Sequence, residues 1–411
     1  MSETNKNPNV AKLLAQIQKD FKKNFKDSTT EIMTMAEEPP PTGILLDNPL
    51  FEFLIDSRFL IFGRCILAHG KKSSGKTSLM FFIINLFQGL NGVCYLSEPE
   101  NALDRVYAKN QGVKIEEVII SHPETFEKTL TTLEDTISSL PKVFPEGDVP
   151  VLIGLDSIAA NITDYEAEQT VVGDTTPGGH AKLLTAFYSK IVGPLAFEKA
   201  TFFALNQERE KIGSFGFGEK PIALKGGESQ FFHSTLRIAM TRTGDITEPD
   251  PHYPDIKRKV GSTHRMVCKR NKIGREGNSQ AIEVDLYAED VLDKEGNVTH
   301  NGGFDWYGSL CDFLAKNYKK LLVKGGGYFT WQIENTKFFN INSQQEEIIL
   351  TDKCYLKKDM ATILKNSEQA KEIMREAFGI RPLPTLEEVV KVEENNKKKR
   401  KKKVTDEPKT L

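Results

Sequence analysis

A chain of 411 residues with 39% hydrophobic content can bury a full core, and its length predicts two or three domains. Its formal net charge of -2 does not announce nucleic acid, so any DNA binding has to come from local patches. The five cysteines form no Cys-x-x-Cys pair, which argues against a zinc site and a disulfide framework and predicts a reducing, intracellular setting. No apolar signal core opens the chain and no apolar run reaches the ~18 residues of a membrane span, so a soluble, cytoplasmic protein with no membrane partner is expected.

Val10, Leu13, Leu14, Ile17, Phe21 and Phe25 recur at helical spacing, with lysines on the other face. They predict an amphipathic helix whose stripe buries either against its own core or against a neighbouring subunit. Residues 27–41, with three consecutive prolines, read as an extended linker that completes an N-terminal segment over 1–41. From 42 to 300 short apolar strands alternate with helical segments, the signature of a parallel sheet covered by helices.

Gly70-Lys71-Lys72-Ser73-Ser74-Gly75-Lys76-Thr77 fits a phosphate-binding loop, between the strand ending at His69 and a helix beginning near Ser78. Backbone N–H groups of such a loop curl around phosphate oxygens at a helix N-terminus. Lys76 is expected at the β- and γ-phosphates, and Thr77 on magnesium. Further strands are predicted at Val93–Ser97, Val118–Ile120 and Val151–Leu155. The last ends in Asp156, where a carboxylate would face the phosphate loop from the magnesium side. The strand from Thr201 ends in Asn206-Gln207, amides that either sense a γ-phosphate or cap the strand end.

Two long stretches after strands read as functional loops. Thr163–Lys182 is the first; Glu208–Gly227 is the second and mixes Arg209, Lys211, Lys220 and Lys225 with Phe215 and Phe217, a composition suited to phosphate contact and base stacking. Leu236–Met240 and Arg265–Lys269 are expected as antiparallel edge strands, separated by an inserted polar excursion over 244–263. Lys269-Arg270-Asn271-Lys272 is either a solvated charge run or reaches an anion. Residues 301–385 read as a small α/β domain, and 386–411, with seven consecutive cations from Lys397, as a disordered basic tail.

Over residues 42–331 the chain resembles the RecA recombinase family, which includes counterparts in large bacteriophages. The resemblance is carried by the phosphate loop, Asn101-Ala102-Leu103-Asp104 with Tyr107-Ala108, Asp156-Ser157-Ile158-Ala159-Ala160, Asn206-Gln207 with Lys211-Ile212-Gly213, and Asn271-Lys272-Ile273, in the family's order. It implies an α/β fold: a RecA-like P-loop ATPase core with a mainly parallel sheet, an N-terminal helix and a small C-terminal α/β domain. ATP and Mg2+ are the implied cofactors. The implied partners are single-stranded DNA, homologous duplex DNA, further copies in a helical filament, and single-strand-binding and loader proteins.

By the same resemblance Glu100 activates the attacking water, Asp104 and Tyr107 contact adenine, and Gln207 couples the γ-phosphate to the second loop. Arg270 and Lys272 enter the ATP site of the next subunit. Lys182, Arg209, Lys211, Gly213, Phe215, Phe217, Gly226 and Gly227 fall in the DNA-binding loops. Pro99 beside the catalytic acid, Phe231 in place of a lysine, and a basic rather than acidic tail depart from the bacterial pattern and point toward a phage-encoded member. A ring helicase of the same fold and a non-hydrolysing DNA-coating scaffold are the alternative functions.

Overall fold

The computed structural model describes residues 8–24, 32, 42–144, 147, 149–160, 162–168, 179–197, 199–210, 222–272, 274 and 280–380. In the N-terminal segment, helix α1 (Pro8–Asn24) carries Val10, Leu13 and Ile17 exposed on its apolar stripe. Residues 42–383 belong to a separate unit. There β1 (Gly43–Leu45) pairs antiparallel with β2 (Phe59–Ile61), bracketing α2 (Pro49–Ile55). The Asn48 carboxamide oxygen caps α2 by accepting the Phe51 N–H at 3.1 Å.

Strand and helix then alternate as β3 (Cys65–Gly70), α3 (Lys76–Gln88), β4 (Val93–Ser97), α4 (Arg105–Asn110), β5 (Val118–Ser121), α5 (Phe126–Val143) and β6 (Val151–Leu155). Two helices, α6 (Asp164–Glu168) and α7 (Gly179–Phe197), precede β7 (Ala200–Glu210). The short β8 (Ile222–Leu224) and α8 (Ser229–His233) lead into β9 (Ser234–Pro249), β10 (Lys257–Asn271) and β11 (Ala281–Tyr287). A small hairpin, β12 (Val291–Leu292) with β13 (Val298–His300), comes before β14 (Gly303–Asp305).

The main sheet runs in the order β14-β11-β10-β9-β3-β7-β6-β4-β5, with β8 against β7. From β9 to β5 every neighbour is parallel; β10, β11 and β14 add antiparallel pairs on one side. Among the parallel strands β3 and β6 are buried on both faces, which is why they read as largely apolar runs. Side chains nonetheless alternate between two cores. Phe203 and Leu205 of β7 join the layer containing α3, whereas Phe202 and Ala204 join the layer containing α5 and α7.

Two expectations need correction here. Strands β9 and β10 are interior to the sheet, since β10 lies between β9 and β11. The supposed insertion over 244–263 is mostly strand: Thr247 pairs with Lys259 and Asp245 with Ser262, continuing the hairpin outward to a tip where Asp250 accepts the N–H groups of His252 and Tyr253 at 2.9 and 3.0 Å. The polar composition reflects exposure of this extension on both faces, which hides the usual alternation.

Beyond β14 come α9 (Trp306–Asn317), β15 (Leu322–Gly325), β16 (Tyr328–Trp331), β17 (Lys337–Asn340), β18 (Gln345–Ile348), β19 (Tyr355–Leu356), α10 (Lys357–Lys365) and α11 (Glu368–Phe378). Their apolar core is continuous with that of the main sheet and its helices, through the Phe53–Phe313 and Phe53–Phe378 ring contacts among others. Beside those rings Arg375 donates two hydrogen bonds to the fully buried Glu52 carboxylate, both at 2.7 Å. Burial works against the charged guanidinium, but its hydrogen bonds and attraction to Glu52 outweigh that and raise its pKa. Arg375→Ala strands a buried carboxylate and is expected to cost roughly 3–5 kcal/mol. Replacing both partners by apolar residues should cost less. Urea-unfolding midpoints of the single and double variants check this.

Candidate nucleotide site

The C-terminal edge of the parallel strands gathers the site. β3 delivers Gly70, the loop turns through Ser73 with φ 59° and Gly75 with φ 87°, and α3 starts at Lys76. Gly75 is required twice over: its φ is left-handed, and a Cβ there would lie 3.0 Å from His264 Nδ1. Lys76 is buried, its Nζ donating to the carbonyls of Gly70 at 3.0 Å and Lys71 at 2.9 Å. Burial pushes its pKa below the ordinary lysine range, against the attraction of Asp156, Glu208 and Glu100. The ammonium therefore sits inside the loop on neutral oxygens, these two carbonyls and the Ser74 hydroxyl at 3.5 Å, which a phosphate oxygen could replace.

Asp156 lies at the end of β6 and accepts the Thr77 hydroxyl at 2.9 Å. Burial raises its pKa to about 6, opposed by the Thr77 hydrogen bond and reinforced by Glu100 and Glu98. A hydroxyl and a carboxylate are hard oxygen donors of the kind magnesium takes, so Thr77 and Asp156 fit the implied ion. Because the raised pKa holds a proton that such an ion must displace, magnesium-nucleotide affinity should fall as pH drops through 6, by up to about tenfold per unit. Asp156→Asn should bind weakly and lose this slope; equilibrium titration with a fluorescent nucleotide across pH measures both.

The two neighbouring acids are differently employed. Glu98 is buried, its Oε1 accepting the Ala102 N–H at 3.1 Å and its Oε2 facing His122 Nδ1 at 3.2 Å. Glu100 is exposed at the strand edge, where Ser157 Oγ donates to it at 3.3 Å. Of the two, Glu100 is the one open to solvent.

A cavity of about 290 Å³ is lined by Ser73 to Ser78, Tyr107, Arg242, Ser262, His264 and Leu286. Tyr107 closes one wall, its hydroxyl 2.6 Å from Ser78 Oγ. Asp104 is not among the lining residues: its carboxylate caps α4 by accepting the N–H groups of Val106 and Tyr107 at 2.8 and 3.1 Å. Lys71 and Lys72 are exposed on the outer side of the loop.

Sequence reasoning missed Arg242, Ser262 and His264. His264 is buried; burial lowers its pKa, so the ring is neutral at pH 7, and it bridges the Ser74 carbonyl at 2.9 Å and Ser262 Oγ at 2.8 Å. It thus braces the phosphate loop from β10. The signal was a strand register, Gly70 beside Met240 beside Met266, that one-dimensional spacing does not carry.

Gln207 stands beside Gly70 at the same sheet edge. Arg270 and Lys272 do not join it. Arg270 pairs with Arg237, itself level with Leu67, and Lys272 lies just past β10 at the end of the strands away from the phosphate loop. They donate to the carbonyls of Phe231 and Phe232, each at 2.9 Å.

Of the expected DNA contacts, Lys211, Gly213, Phe215 and Phe217 lie outside the described residues, and Arg209 belongs to β7, paired with Ala223 of β8. Lys182 is not on a loop but in the first turn of α7, exposed, because the apolar residues from Leu183 onward continue the helix back to Gly179. Gly226 and Gly227 have φ 92° and 71°, and added Cβ atoms would lie 2.7 Å from Leu184 and 2.8 Å from Ala181, so both serve close packing of the returning chain on α7.

No helix among the described residues is long and apolar enough to cross a membrane. A sequence model of the RecA N-terminal domain matches residues 11–291.

Proposed function

The chain belongs to the RecA family, and from that membership we propose that it is an ATP-dependent recombinase that polymerises on single-stranded DNA, pairs it with homologous duplex and exchanges strands. Proteins of this family are DNA-dependent ATPases that bind ATP with magnesium. In this reading Lys76 and the loop amides hold the phosphates, Thr77 and Asp156 hold magnesium, which would neutralise phosphate charge, and Glu100 takes a proton from the attacking water. Tyr107 packs against the base, and Gln207 and the segment over 208–227 connect the phosphates to DNA.

The observation that carries the proposal is the division of charge between the two ends of the sheet. The phosphate loop, Asp156 and Glu100 share one end, while Arg270 and Lys272 occupy the other and cannot complete their own site. A head-to-tail stack would bring the second set to the first set of a neighbour. The exposed stripe of α1 supplies an apolar surface for the same contact. The basic tail over 397–403 favours the phage branch of the family.

Strand exchange between circular single-stranded DNA and homologous linear duplex tests the proposal. ATP-dependent joint molecules that require homology support it; unwinding of a forked duplex without pairing supports the helicase instead.

A further inference from the structure

Ser262 and His264 stand two residues apart on β10 and both line the nucleotide cavity, with Leu286 of β11 opposite Ser262. The direction of the hydrogen bonds through this pair follows from what each end is able to do. The Ser74 carbonyl only accepts, so His264 Nδ1 carries the proton in their 2.9 Å contact. Burial keeps the ring neutral, which leaves Nε2 as an acceptor, and the Ser262 hydroxyl therefore donates to it at 2.8 Å. The ring is held from two further sides. A Cβ at Gly75 would lie 3.0 Å from Nδ1, and Phe304 of β14 stands perpendicular to the imidazole with centroids 6.5 Å apart.

One consequence concerns the cavity. The single proton of Ser262 is committed to His264, so its oxygen presents lone pairs to whatever lies beside it. Arg242, the other polar side chain that β9 and β10 place in the same lining, has donors only. Ser78 Oγ and the Tyr107 hydroxyl, 2.6 Å apart, share a hydrogen bond with each other. Ser262 is thus the acceptor that the β9–β10 wall offers, and an acceptor selects a donor on the ligand. An ionised triphosphate has none. The donors of a nucleotide are the sugar hydroxyls, which lie next to the phosphates, and the amino group of the base, which lies beyond the sugar. Ser262 is tied through His264 to the phosphate loop itself, so the sugar is the part within its neighbourhood.

We infer that Ser262 is a specificity residue that accepts a hydrogen bond from a sugar hydroxyl of the bound nucleotide, and that His264 is the positioning residue that fixes the direction of that bond. The relay from the Ser74 carbonyl through the imidazole to Ser262 then joins the grip on the sugar to the shape of the phosphate loop. A neutral hydrogen bond in such a wall is worth about a tenfold preference for the nucleotide that makes it.

The inference rests on the reading of this cavity as an ATP site. Its test is competition of ATP, 2′-deoxy-ATP, 3′-deoxy-ATP and 6-deamino-ATP against a fluorescent nucleotide on the full chain with magnesium. The readout is the affinity for ATP divided by that for each analogue, a ratio that a partial loss of folded protein does not move. The wild-type chain should prefer ATP over one of the two sugar analogues by about tenfold, and Ser262→Ala should bring that ratio close to one.

Two substitutions at His264 separate its two bonds. His264→Asn keeps a donor near the Nδ1 position and removes the Nε2 acceptor, so it should lower the sugar ratio several-fold. His264→Gln keeps an acceptor near the Nε2 position and gives up the bond to Ser74, so it should weaken ATP and the sugar analogues alike and retain the ratio. Tight ATP binding with both sugar ratios at one overturns the inference and leaves the ATP site standing. A preference that follows the base amino group alone overturns it as well. Equal losses for every nucleotide in Ser262→Ala and His264→Asn, with the sugar ratio unchanged, show a merely structural pair and also overturn it. Failure of the wild-type chain to bind any of the four nucleotides overturns both the inference and the functional reading.

Discussion

Glu100→Gln is expected to bind ATP and single-stranded DNA normally and to hydrolyse ATP about 100-fold or more slowly, whereas Lys76→Ala should lose nucleotide-dependent DNA binding altogether. The difference follows from where the two side chains sit. Lys76 is buried in the loop with its ammonium aimed at the carbonyls that ring the phosphate position, so its removal deletes ground-state and transition-state contacts alike. Glu100 stands at the open strand edge with one hydroxyl partner, and the amide variant preserves shape while removing the base. Glu98→Gln is the control: its carboxylate holds the Ala102 N–H and faces His122, so its loss should lower stability more than turnover. Steady-state hydrolysis and DNA affinity on the three variants separate the roles, and normal turnover by Glu100→Gln would refute its assignment as base.

Lys272→Ala and Arg270→Ala should each reduce DNA-stimulated hydrolysis by about 1,000-fold or more if they stabilise the transferring phosphoryl group of a neighbour. Within one subunit neither cation can reach its own phosphate loop, because the strand registers place them toward the other end of the sheet. Mixing provides the decisive comparison. A subunit with Lys272→Ala lacks the donor and one with Lys76→Ala lacks the acceptor. A mixed polymer of two inactive proteins should regain hydrolysis at junctions where an intact donor meets an intact loop. If Lys272 acts within its own chain, the co-polymer stays inactive; light scattering establishes that the two variants co-assemble.

The parts of this fold that were legible are those with local signals. The phosphate loop, its flanking β3 and α3, and the acid ending β6 are each written within a dozen residues, and apolar periodicity located the strands around them. The motif did not reveal that the Asp104 carboxylate also caps α4. What escaped depended on pairing across long separations. His264 braces Ser74 from 190 residues away through a strand register, and the polar hairpin extension of β9 and β10 lacked the alternation that reveals a strand with one buried face. Lys182, expected in a loop, lies in the first turn of α7, which begins at Gly179.

Electron microscopy of the full chain on circular single-stranded DNA with a slowly hydrolysed ATP analogue tests the central claim most directly. A nucleotide site completed by the next subunit predicts continuous helical filaments that form with the analogue and not without nucleotide. Closed rings, or an irregular coat that forms equally well in the absence of nucleotide, would contradict it.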